Sequence, residues 1–160
     1  MVVKIICAPG PGAFFRREGF EKTGLWDPSL RQTPDYDYWI RLGLQGGFLR
    51  IPEFLAKFRV HGESQSYFEP DEEKSEEILR IMHHYFQLQG VPEDVMAAKN
   101  KALSNANIVA ARYHMRAGRY KTATNRLLAA LRLNGTCVFS LRNLKLLANA
   151  LSFRIRRAIS

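Results

Sequence analysis

A chain of 160 residues holds one ordinary domain, or a small domain with an appendage. Its 46% apolar and 11% aromatic residues exclude a disordered chain, and no run of about 18 uninterrupted apolar residues offers a membrane-spanning helix. The net charge of +9 is unevenly spread: up to Asp94 there are 11 basic and 15 acidic residues, and beyond it 13 basic residues and no acid.

In chain order, residues 2–7 read as a short strand, too short and too weakly apolar for a secretory signal. Pro9, Gly10, Pro11 and Gly12 read as an irregular loop, and residues 13–17 as a second extended run. Residues 18–23 suit one or two helical turns stopped by Gly24. Thr33 is placed to cap a helix with Pro34 at its first position and Asp35 and Asp37 in its first turn. That helix is expected to run to Gln45 and to end at Gly46 and Gly47. Residues 48–51 and 54–60 read as strands around Pro52. Residues 69–89 then form an amphipathic helix, apolar at Ile78, Ile81, Met82, Tyr85 and Leu88 and acidic at its start. A glycine stop before a proline start at Gly90, Val91 and Pro92 divides the chain into residues 1–90, read as α/β, and 91–160, read as all-α. Cys7 and Cys137 match no metal or redox spacing and read as reduced thiols of a cytoplasmic protein.

Chemistry concentrates at two places in the first segment. Asp35 and Asp37 stand at a helix start, and Arg59 and His61 share one face of a strand with Leu55 and Lys57. Arg and His together at a strand end suit a phosphate or a metal. On spacing alone, Asp35 reads as a carboxylate stabilising a helix N-terminus and His61 as an ordinary strand-end histidine.

The order of the pieces says more. Gly12-Ala13-Phe14-Phe15-Arg16-Arg17 is followed by Gly24-Leu25-Trp26-Asp27-Pro28-Ser29-Leu30, and then by Asp35-Tyr36-Asp37-Tyr38-Trp39-Ile40-Arg41. Ile51-Pro52 and Leu55-Ala56-Lys57-Phe58-Arg59-Val60-His61 complete the series. Over residues 8–67 this series resembles the carboxy-terminal half of family-2, inverting glycosyltransferases of GT-A fold. The resemblance implies a partial GT-A-type α/β domain with short strands. It also implies transfer of a sugar from a nucleotide-sugar donor to a glycan or lipid-linked acceptor with inversion. Asp35 matches the family's general base, whose efficiency gains from a pKa near the working pH. Asp37, the second acid, orients the acceptor or the helix start, and Trp39 is either an acceptor-sugar platform or a core residue. Arg41 is expected to make an ion pair. His61 matches a position that helps hold the divalent cation on the diphosphate, Mn²⁺ tolerating imidazole better than Mg²⁺, and Arg59 is a candidate diphosphate contact.

The chain also departs from the family. The nucleotide-binding half with its Asp-x-Asp metal motif is not among these residues. Isolated donor binding and turnover are therefore not expected of the chain as it stands. A truncated product, one piece of a split enzyme with a separately encoded donor-binding half, and a decayed remnant all fit.

The second segment is helical by pattern. Gly118, Arg119, Tyr120, Ala123, Ala130 and Leu131 resemble the second helix of a tetratricopeptide repeat, but one unit makes no solenoid, and a helical hairpin is the better reading. Residues 141–159 place Leu144, Leu147, Leu151, Ile155 and Ile159 on one stripe, with Arg142, Lys145, Arg156 and Arg157 largely elsewhere. Such a helix suits either an anionic membrane surface, giving a peripheral place at the inner face, or the edge of a core with a solvated basic side. A non-catalytic basic helical module binding membrane, anionic glycan or protein stands as the alternative to the enzyme. No nucleic-acid partner is expected, because no recognition motif accompanies the pI near 9.9.

Overall fold

The structure, a computed structural model, describes residues 1–5, 12–57 and 70–159, with side chains as far as residue 154. The regular structure among the described residues is helical: α1 (Arg17–Thr23), α2 (Pro34–Leu42), α3 (Glu72–Tyr85), α4 (Glu93–Ala97), α5 (Lys99–Arg116), α6 (Tyr120–Val138) and α7 (Leu141–Ile159).

No strand or sheet occurs among the described residues, and this overturns the α/β, GT-A-type expectation for the first segment. Residues 2–5 make a turn closed by Ile5 N–H donating to Val2 O at 3.3 Å. Residues 13–16, 47–51 and 54–57 follow the chain without ladder partners, and residues 6–7 and 58–60 of the expected strands lie outside the described residues. The physical reason is non-local. Runs such as Phe14-Phe15, Phe48-Leu49 and Phe54-Leu55 have the apolar content of buried strands, but a strand exists only where another accepts its hydrogen bonds. Here those side chains stay exposed instead.

The helices form for local reasons. Gly24, at φ 78°, ends α1 in the left-handed region with its N–H on Phe20 O. Pro34 opens α2 where its missing N–H costs nothing. Asp71 caps α3, its Oδ1 accepting from Lys74 N at 2.8 Å, with Glu72 and Glu73 in the first turn and His83 and His84 in the last. Helix α2 stops at Leu42 and α3 at Tyr85, each three or four residues short of the pattern's reach, because residues 43–45 and 86–90 tighten into turns.

Packing gathers α2, α3 and α5 around one core. Ile78, Ile81, Met82 and Tyr85 of α3 meet Tyr36 and Ile40 of α2 and Ala102, Leu103, Ala106 and Ala110 of α5. Both sides of Gly90 thus contribute to it. The small residues of α5 let α6 lie close in an antiparallel hairpin, and the Ser104 hydroxyl sits 2.9 Å from Ala130 O and 3.1 Å from Asn134 O where α6 kinks. Helix α7 closes the other side of α5: Asn143 Nδ2 donates to Asn105 Oδ1 and to Cys137 O, both at 2.8 Å. Asn105 Nδ2 in turn donates to Val3 O at 2.8 Å, tying the amino-terminal turn to the bundle. A polar link joins α3 to the hairpin. His114, fully buried, sets Nε2 2.7 Å from Glu76 Oε1 and accepts on Nδ1 from Arg119 Nε at 2.9 Å, while Arg126 pairs with Glu76 at 2.7 Å. Cys137 is a buried free thiol.

Candidate functional site

Helix α2 carries three of the expected site residues, and two devices fix it in place. Glu77 of α3 provides the first. Its carboxylate, 1% exposed, accepts the backbone N–H groups of Arg31 and Gln32 at 2.7 Å and of Thr33 at 2.9 Å. A helix start leaves orphan donors at its mouth, and here a carboxylate from another helix binds the segment entering α2. The Thr33 side chain makes no cap bond of its own; its hydroxyl lies 3.4 Å from Glu77 Oε2.

Asp37 and Arg41, one turn apart, provide the second device. Arg41 Nε and Nη2 each stand 2.8 Å from Asp37 Oδ2, while Nη1 donates to Thr23 O at 2.7 Å and Nη2 to Leu25 O at 3.0 Å. The pair therefore clamps the loop after α1 onto α2, and Asp37 is 5% exposed. Asp37 was expected to orient either an acceptor or the helix start; its carboxylate is engaged with Arg41 inside the fold.

Asp35 lies on the exposed outer face of the first turn of α2, with one oxygen accepting Tyr36 N–H at 2.8 Å. Trp39 follows one turn later, 6% exposed, in an aromatic cluster: Phe15 stands edge-on to it at 6.1 Å and Phe48 at 6.3 Å. Tyr38 behind it is stacked on Trp26 at 4.4 Å. Burial pushes the Tyr38 phenol up, and its hydroxyl has no hydrogen-bond partner among the described residues. Trp39, Phe14, Phe15 and Phe48 line an open cleft of about 560 Å³, with Glu18 and Lys22 of α1 on its rim. Asp35 is not part of that lining. Arg59 and His61, the expected diphosphate contact and cation ligand, lie outside the described residues. Among the described residues no group of three or more His, Cys, Asp and Glu converges on a common point, and no helix is long and apolar enough to cross a membrane.

Sequence reasoning missed Glu77. The signal was present: an acid directly before Ile78 and one turn before Ile81, on the apolar side of an amphipathic helix. A carboxylate there must find donors or be protonated, but its donors are three backbone groups more than 40 residues away. Compared with models of protein families, with curated proteins and with solved structures, the chain matches none of them.

Proposed function

We propose that this chain serves the acceptor side of an inverting sugar transfer from a nucleotide-sugar to a glycan or lipid-linked acceptor, with Asp35 as general base. One observation supports the proposal beyond the ordered motif: the two acids of the Asp35-Tyr36-Asp37 segment differ in exposure. Asp37 is sealed into the Arg41 clamp, whereas the carboxylate of Asp35 stands at the exposed mouth of a helix whose entry Glu77 holds. A base needs a placement that an acceptor can reach, and Asp35 is exposed.

The step balances simply. Asp35 takes the proton of the acceptor hydroxyl as its oxygen attacks the anomeric carbon, and the bond from that carbon to the diphosphate oxygen breaks on the opposite face. Trp39, 6% exposed within the aromatic cluster, fits the core alternative of its two expected roles. His61 is a candidate ligand for a divalent cation, whose part would be to neutralise charge on the departing diphosphate, and Arg59 is a candidate diphosphate contact. Donor binding falls to another polypeptide segment. Phe14, Leu25, Leu49 and Phe54 are largely exposed apolar side chains available to such a segment.

The test is Asp35→Asn in the polypeptide that the native host makes, assayed for transfer from nucleotide-sugars to host glycolipid. Transfer is expected to fall by about 10²–10⁴-fold with donor affinity nearly unchanged. Wild-type transfer by that variant overturns the assignment of the base, and binding of an anionic glycan without any transfer favours the non-catalytic alternative.

A further inference from the structure

Helix α7 touches the bundle along one side. Asn143 and Ala150 are buried, Leu147 packs beside Ile108 and Ala130, and Arg116 of α5 lies over the Phe153 ring at 4.2 Å. These positions recur at three- and four-residue spacing and mark the inner face. A second stripe, roughly 80–160° round the helix from Asn143, repeats the spacing and stays exposed. Leu141 is 70% exposed, Leu144 46% and Leu151 43%, and Phe139 in the turn before the helix is 71% exposed. Arg142 and Lys145, both exposed, occupy the sector on one flank of this stripe.

Charge selects what covers the stripe. From residue 95 onward the chain carries 13 Lys and Arg and no Asp or Glu, and Lys101, Lys121 and Arg132 are exposed on the adjoining helices. A second copy would bring two such surfaces together, at a cost in repulsion. An anionic lipid surface complements both features at once, taking leucine and phenylalanine into the acyl boundary and arginine and lysine among the headgroup phosphates. Since no described helix is long and apolar enough to cross the bilayer, the fitting geometry is a helix lying in the interface plane. We infer that α7 is a membrane-surface helix for anionic lipid, seated through Phe139, Leu141, Leu144 and Leu151 and held by Arg142 and Lys145. This inference stands independently of the role given to Asp35.

Vesicle flotation tests it with the whole chain. Phosphatidylcholine vesicles containing about one third phosphatidylglycerol are compared with pure phosphatidylcholine, at about 0.1 M and about 0.5 M salt. The wild type is expected to bind the anionic vesicles at least about tenfold more tightly than the neutral ones. Leu144→Ser with Leu151→Ser, and separately Arg142→Glu with Lys145→Glu, are each expected to weaken that binding by about tenfold or more. Both pairs are exposed, so circular dichroism should show wild-type helix content. Equal binding to neutral vesicles, absence of binding to anionic ones, or undiminished binding by the leucine pair overturns the inference. So does a stable dimer in vesicle-free solution that the leucine pair abolishes, since the stripe would then be covered by a second copy.

Discussion

Replacing Glu77 by alanine removes the acceptor for three backbone N–H groups at 2.7, 2.7 and 2.9 Å from a site that is 1% exposed. Hydrogen bonds to a charged group contribute about 1.5–3 kcal/mol each, so the three together represent roughly 5–9 kcal/mol. Those values are already net of desolvation, and the partly exposed Arg31 segment readmits water to at least one donor, leaving about two bonds to count. The net loss expected is about 3–4 kcal/mol, a large share of the roughly 5–15 kcal/mol that holds a domain folded. With a urea slope near 2 kcal/mol per molar, the unfolding midpoint should fall by about 1.5–2 M at neutral pH. Glu77→Gln, which keeps one acceptor oxygen but turns an amide donor toward backbone donors, should fall between the two. Hydrogen exchange at Arg31, Gln32 and Thr33 should accelerate in Glu77→Ala before global unfolding does. A midpoint shift below about 0.5 M, with exchange at those amides unchanged, would refute the bridging role of Glu77.

Two further expectations concern local structure. Lys74 N–H, bonded to Asp71 at the start of α3, holds that carboxyl below its ordinary value. A depressed folded pKa gives stability that is present above the unfolded value near 3.9 and lost as pH falls through the folded one. Asp71→Ala should therefore cost about 1 kcal/mol at neutral pH, and its urea midpoint should converge on the wild type as pH falls through the depressed folded value. Gly118 turns the chain from α5 to α6 at φ +74°, and a Cβ there would stand 3.2 Å from the Arg154 guanidinium. Gly118→Ala should cost about 1–2 kcal/mol, since only the tip of a flexible side chain must move while the left-handed backbone remains strained. Calorimetry should show a melting temperature lower by several degrees, and an unchanged one would contradict the strain.

What the sequence made legible was what neighbours along the chain decide. The Pro34 start with its two acids, the Gly24 stop, the acidic entry to α3 and the helical tail all depend on contacts within a turn or two. Arg41 was expected to make an ion pair with no partner named; the partner is Asp37, which four-residue spacing puts on the same helix face. The strands failed for the complementary reason. Phe48, Leu49 and Ile51 carry the composition of a buried strand, but composition does not name the partner, and among the described residues none pairs with them. Glu77 was opaque in the same way, its donors lying across the core from it. Arg59 and His61 fall outside the described residues, so their part in the site rests on the ordered resemblance alone.

The most direct measurement supplies radiolabelled nucleotide-sugars, with a divalent cation and host membrane glycolipid, to the polypeptide that the native host makes from these residues. The anomeric configuration of any product is then read by nuclear magnetic resonance. Transfer to glycan or lipid with the configuration opposite to that of the donor is the predicted result. Transfer with retained configuration, or none from any nucleotide-sugar, would contradict the account.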